Sequence, residues 1–303
     1  MSFLNPVSEP VLRFKSTDAG APQINYNSRA AGDVKAVLKA CLVTGYGATA
    51  SAGWSIVNEV GHVAEFVSPS AAMSDYRLGI DDTSTSSTTW YYQYQNARVN
   101  PSYNAPVKAF TNIDKAHASN GWQLIVTDRG IIFLELVYST QVSKLSARIT
   151  YFCQVKSGLV DTIGANIMFF NTGHNSAITE PRYLYYPAYP HMRLGSQDSP
   201  QLVSSNAWST KSSEYQTGVS SIDVASALYI TNVTSDVSVM VGEVVGILSQ
   251  VVNNTTDMYG ANDVNISDRP ALSVCAGISY ASNASKMYSY GRTFLVYLDY
   301  WEY

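Results

Sequence analysis

One stretch of this sequence carries a clear helical period, and that restricts the folds open to the whole chain. Asp33 to Trp54 reads DVKAVLKACLVTGYGATASAGW. Val34, Val37, Leu38, Cys41 and Leu42 fall at the i, i+3, i+4, i+7, i+8 spacing of one helix face, with Lys35 and Lys39 on the other. The spacing predicts a helix over residues 33–44. Asp33 follows Gly32 where a carboxylate can accept an orphan backbone N–H, and Gly45 sits where a left-handed residue would close the helix. Gly45-Tyr46-Gly47 then turns the chain toward Trp54. Nearly everything after Trp54 is strand-like, so the expected architecture is α+β and β-dominated. One principal N-terminal helix packs on antiparallel sheet, and a β-rich region follows towards the C-terminus.

The strand signals run in order through the chain. Trp54–Val57 and His62–Phe66 flank a hairpin-sized Asn58–Gly61, and Tyr76–Ile80 follows. The polar stretch Asp81–Thr89 is expected to be a solvated loop before the aromatic strand Trp90–Gln95. Residues 96–120, with Asn100-Pro101 and Asn104-Ala105-Pro106, are expected to be irregular. Trp122–Thr127 and Ile131–Tyr138, joined by Asp128-Arg129-Gly130, form the clearest hairpin. Arg148–Val155 is the next strand, and later ones are expected at Ser221–Ile230, Val237–Val252, Ala271–Tyr280 and Arg292–Tyr303. The expected organisation is an extended arm over 1–32, an α+β domain over 33–158 and a β-rich domain over 159–303. The last carries a long irregular loop over 171–211, rich in Pro, Gly, Ser and Tyr.

Composition removes several function classes. The net charge is −4 and the basic residues are scattered singly, so there is no footprint for nucleic-acid phosphates. The N-terminus MSFLNPVSEP lacks the basic start and apolar run of a signal peptide, and no stretch approaches the ~18 apolar residues of a membrane span. Synthesis in the cytoplasm is therefore expected, and five Asn-x-Ser/Thr matches (Asn232, Asn253, Asn254, Asn265, Asn283) read as polar loops. Cys41, Cys153 and Cys275 lie far apart in apolar or Ala-rich surroundings and read as buried thiols.

Catalytic and metal motifs do not emerge. Gly45 to Ala50 matches G-x-G-x-x-A, but the fingerprint requires a strand before it and a helix after it, and here the order is reversed. His62, His117, His174 and His191 lack metal-ligand spacing. No cofactor or metal is expected. A glycan-cleaving reading would need carboxylates such as Asp81, Asp82, Glu135 or Glu180 to meet in a cleft, which spacing does not show. Tyr183, Tyr185, Tyr186 and Tyr189 form an aromatic cluster suited to a protein contact or, alternatively, to stacking on a host-surface carbohydrate.

Ser16 to Pro22, Val37 to Gly47 with Ala52-Gly53-Trp54, and Gly121 to Gly130 together resemble a family of virion structural proteins of tailed bacteriophages over the first half of the chain. The resemblance implies a non-enzymatic virion component with no catalytic residues to carry across. The expected role is assembly in several symmetric copies in the tail, neck or baseplate, with head decoration as the nearest variant. Its partners would be itself and other virion proteins. With 22 Tyr and only 14% charged residues, the surface suits repeated neutral contacts. The residues expected to make those contacts are Phe3, Leu4, Val11 and Phe14 of the arm, the four loop tyrosines, and Tyr300, Trp301 and Tyr303 at the C-terminus. Removal of residues 1–22 is expected to weaken incorporation without unfolding the remainder.

Overall fold

The computed structural model describes residues 6–24, 30–74, 76–83, 89–96, 100–110, 121–139, 144–154, 156–157, 167–171, 188–193, 201–202, 208–210, 224–234, 237–251, 261–266, 268–283 and 286–303. Its elements in chain order are β1 (Ser8–Pro10), β2 (Leu12–Lys15), α1 (Asp33–Lys39), β3 (Ser55–Val60), β4 (Val63–Val67), β5 (Tyr76–Asp81), β6 (Thr89–Asn96) and β7 (Asn100–Phe110). Then come β8 (Trp122–Thr127), β9 (Gly130–Ser139), β10 (Lys144–Gln154), β11 (Lys156–Ser157), β12 (Ile167–Asn171), β13 (Ala188–Arg193), β14 (Gln201–Leu202) and β15 (Trp208–Thr210). The last are β16 (Val224–Thr234), β17 (Val237–Val251), β18 (Ala261–Ile266), β19 (Arg269–Asn283), β20 (Lys286–Tyr297) and β21 (Tyr300–Glu302). The fold is α+β and dominated by largely antiparallel sheet, as the pattern predicts.

Three sheets are present among the described residues. One runs β3-β4-β5-β6-β7, a second pairs β1 with β21, and the third joins fourteen strands from β2 to β20. Strands on both sides of residue 158 share this last sheet, and β10 meets β19 in it through one parallel pair, Ala147 with Ala276.

The β8–β9 hairpin forms at the expected place, with Thr127 opposite Gly130 across the turn. All six residues of β8 are buried, because the sheet is covered on both faces. Alternation divides the side chains between two cores. On one face Trp122, Leu124, Val126, Ile131, Phe133 and Phe152 pack with Val34, Val37, Leu38, Cys41 and Leu42 of the helical segment and with Phe66, Leu78 and Ile80 of the five-stranded sheet. On the other, Ile125, Ile132, Leu134, Ile149, Tyr151 and Cys153 pack with Val244, Ile247, Leu272, Val296, Trp301 and Tyr303. Truncating an aromatic such as Phe133 in such a centre costs about 3–5 kcal/mol.

The helix occupies the predicted span but is held differently at both ends. Gly32 precedes it with φ 92°, and Asp33 turns its carboxylate back to the exposed Ala30 N–H at 3.0 Å. The cap comes instead from Asp82, whose Oδ2 accepts from the Val34 N–H at 2.8 Å and the Lys35 N–H at 3.2 Å. Asp82 is fully buried, so this end of the expected solvated loop 81–89 is interior. At the C-terminus α1 widens into a π-helical turn, Ala40–Thr44, closed by the Gly45 N–H on Ala40 O at 2.8 Å. Two carbonyls near this end are taken by the chain leading into β3: Ala52 N–H donates to Cys41 O and Trp54 N–H to Leu42 O, both at 2.9 Å. Gly45 does have positive φ, at 74°, but its ψ of 174° is not left-handed helical.

Further differences have local causes. Asn100–Phe110 is strand β7, although its two prolines suggested irregular chain. β7 is the last strand of its sheet, where a missing N–H need not break a ladder. Within the expected irregular excursion 171–211, Ala188–Arg193, Gln201–Leu202 and Trp208–Thr210 are strands.

Candidate assembly surface

The arm and the aromatic C-terminus, expected to meet neighbouring molecules, meet each other. β1 and β21 pair antiparallel with Ser8 opposite Glu302, Glu9 opposite Trp301 and Pro10 opposite Tyr300. Val7 N–H donates to Tyr303 O at 3.1 Å, Tyr303 N–H to Val7 O at 3.0 Å, and Val11 N–H to Asp299 O at 3.0 Å. The two-residue alternation turns the backbone of Ser8 and Pro10 away from β21. Proline therefore costs the pair no bond and blunts the outer edge of β1 against further strands.

A charged clasp lies beneath the pair. Arg129, in the β8–β9 turn, donates through Nε to Glu9 Oε1 at 2.5 Å and through Nη1 to Gln154 Oε1 at 3.3 Å. Its guanidinium lies 5.1 Å from the Tyr303 ring centroid. Burial raises the Glu9 carboxyl above its ordinary value, an effect that the Arg129 charge offsets only in part. Tyr303 hydroxyl and Thr127 Oγ1 share a hydrogen bond at 2.6 Å, and burial pushes the phenol well above its usual range.

A second cation organises the chain before β21. Arg269 donates through Nε and Nη2 to the two Asp299 oxygens at 2.8 and 2.7 Å, and through Nη2 to Tyr300 O at 2.8 Å. Its guanidinium lies 3.8 Å from the Tyr297 ring centroid and 4.0 Å from that of Tyr300. Hydrogen bonding to Arg269 holds the Asp299 carboxyl below its ordinary value.

These contacts relocate several expected assembly residues. Phe14 is 2% exposed, and Trp301 and Tyr303 are 1% and 4% exposed; all three are buried in the chain's own cores and present no free contact surface. Val11 packs against the second core, and Tyr300 is half-buried beside Arg269. Phe3, Leu4, Tyr183, Tyr185 and Tyr186 lie outside the described residues. Tyr189 lies in β13, where only the backbone is described.

Residues 8–22 are likewise integral to the fold. β2 pairs with β8, Tyr46 hydroxyl donates to Asp18 Oδ2 at 2.8 Å, and Trp122 Nε1–H donates to Pro22 O at 2.9 Å. Removing residues 1–22 would strip these contacts and Phe14 from the core, so the deletion is expected to unfold the chain rather than spare it.

Among the described residues, large apolar side chains are exposed at other positions. Val57 and Val60 of β3 are 50% and 71% exposed, and Val7 and Leu12 are 38% and 45% exposed. β3 is an edge strand, with a bulge between Ile56 and Asn58. Its ion pairs, Lys35 and Lys39 with Glu59, tie it to the helix. Sequence reasoning missed the roles of Glu9, Arg129, Asp82 and Arg269, because each acts through a partner distant in sequence.

Among the carboxylates considered for catalysis, Asp82 caps the helix, Asp81 Oδ1 accepts from the Thr83 N–H, and Glu135 is buried in β9 opposite Trp122. Glu180 lies outside the described residues. No group of three or more metal-ligating side chains occurs among the described residues, and no helix there is long and apolar enough to cross a membrane. No family model, curated protein or solved structure matches this chain.

Proposed function

We propose that this chain is a non-enzymatic structural component of a tailed-phage virion, assembling in several symmetric copies in the tail, neck or baseplate. The sequence resemblance over the first half motivates the reading, and one structural observation carries it: the exposed valine edge of β3. An edge strand with Val57 and Val60 facing solvent is a surface that soluble chains usually blunt or cover. The bulge at Val57 disfavours continuous ladder extension, so the contact made there is one of side chains. The charged groups of the clasp and the helix cap are engaged in holding elements together, which suits a role in which shape is the product.

Electron microscopy of intact particles from the host carrying this gene tests the proposal. Ordered symmetric copies of the chain, with β3 against a neighbour, are expected. Absence of the chain from the particle would sink the reading. Val60→Lys, on an already exposed position, should lower incorporation while leaving the fold of the free protein unchanged.

A further inference from the structure

The terminal pair has the construction of a donor strand seated in an acceptor. Resting on the reading that the chain assembles in several copies, we propose that β21 and Arg129 form a strand-acceptor site. Residues 7–11 of the same chain fill it when the protein is alone, and residues 7–11 of a second copy fill it on assembly.

The acceptor keeps its shape through contacts that do not involve β1. Trp301 Nε1–H donates to Tyr297 O at 3.0 Å, and its ring lies so close against Gly246 that a Cβ there would overlap it. Tyr303 is held through Thr127, and Tyr300 is braced by Arg269. Departure of β1 would therefore leave a formed strand edge with the Arg129 guanidinium beside it.

The donor is held by much less. β1 spans three residues and belongs to neither of the larger sheets. Ser8 and Pro10 are exposed, as is Val7, and only Glu9 and Val11 reach inward. Arg129 bonds one Glu9 oxygen, while Oε2 is buried with no hydrogen-bond partner. That orphan oxygen lowers the cost of release, since a buried acceptor without a donor is unfavourable.

Charge complementarity fixes the kind of occupant. An emptied site leaves Arg129 without its carboxylate, so the occupant that fits brings an acid at the central position of a short strand. A second copy offers the same Val7-Ser8-Glu9-Pro10-Val11. Its strand would make the same hydrogen bonds and the same ion pair as the strand it displaces, and exchange is then governed by local concentration. Val11 is the single residue between β1 and β2, and β2 is fixed on β8. Swinging about the junction of Val11 with β2, residues 7–11 reach about 17 Å in extended form, which limits how far away the neighbouring acceptor can lie.

The test uses two full-length variants, Ser8→Cys and Glu302→Cys, each also carrying Cys275→Ser. Ser8 and Glu302 face each other in register and are both exposed, and Cys41 and Cys153 are buried. Neither variant can close this disulfide within one chain. The two are mixed, concentrated until light scattering reports oligomers, oxidised, and separated without reductant. A disulfide-linked heterodimer is expected, and Glu9→Lys in the Ser8→Cys chain should lower its yield roughly tenfold or more by setting two cations together. Absence of the heterodimer from an oligomeric mixture overturns strand exchange while leaving assembly standing. Absence from a mixture that stays monomeric overturns it as well, and the presence of the chain in particles is read separately by microscopy. An undiminished yield with Glu9→Lys overturns the role of Arg129.

Discussion

Replacing Asp82 by Ala should loosen the principal helix from its N-terminus, although residue 82 lies 48 positions from the amide it caps. The two N–H groups that lose their acceptor are unequal. Val34 is fully buried, so its amide cannot turn to water, whereas Lys35 is partly exposed and can be resolvated. One orphaned buried N–H costs about 1–3 kcal/mol, and the lost charge at the positive end of the helix adds about 0.3–1 kcal/mol. The combined expectation is about 1–4 kcal/mol for Asp82→Ala, with Asp82→Asn costing less because its amide oxygen still accepts.

Asp33→Ala is the informative control. It removes one exposed bond to Ala30 and should cost only about 0.5 kcal/mol. Hydrogen exchange read by mass spectrometry over residues 33–44 separates local opening from global unfolding. If opening is local, the cost of Asp82→Ala corresponds to roughly 10- to 700-fold faster exchange there. Unchanged exchange in Asp82→Ala, or a larger effect from Asp33→Ala, would refute the long-range cap and restore the local one.

Burial raises the Glu9 carboxyl from its ordinary 4.5 against the opposing pull of Arg129, with Asp128 and Tyr303 also facing it. A raised folded-state value gives stability that is complete below the ordinary value and is lost as pH rises through the folded value. The melting temperature of the native protein should therefore fall relative to Glu9→Gln as pH is raised from the acid side toward neutrality, and a relative rise would contradict the assignment. Gly246→Ala combines a φ of 76° with a Cβ driven into the Trp301 ring and should cost about 2–4 kcal/mol. Gly61→Ala, at φ 57° with nothing within 4 Å, should cost only about 1 kcal/mol; equal melting temperatures would exclude tight packing of Trp301. Burial raises the thiols of Cys41 and Cys153 far above the usual range, so peptide mapping after alkylation at mildly alkaline pH should find both unmodified until denaturant is added.

The helix, the β8–β9 hairpin and the β-dominated class were legible because each is written in a local period or turn. Spacing of 3.6 placed Val34, Val37, Leu38, Cys41 and Leu42 on one face, and that face is buried. The apolar runs Trp122–Thr127 and Ile131–Tyr138 around Asp128-Arg129-Gly130 could identify a hairpin, but six buried positions in succession arise only when a sheet is covered on both sides. β7 escaped notice because its prolines are tolerated only at an edge, and edge position belongs to the sheet rather than to the strand.

The candidate surface was legible only in part, for the same physical reason. The C-terminal aromatics were expected to contact neighbours, yet Trp301 and Tyr303 are buried in the chain's own core, and composition could not distinguish the two. Glu9 and Arg129 lie 120 residues apart, Thr127 and Tyr303 176 apart, and Asp82 and Val34 48 apart. Local sequence determines which residues can lie on one face of a helix or strand. Which carboxylate caps the helix, and which strand closes over Arg129, is decided when distant segments pack and buried polar groups must find partners.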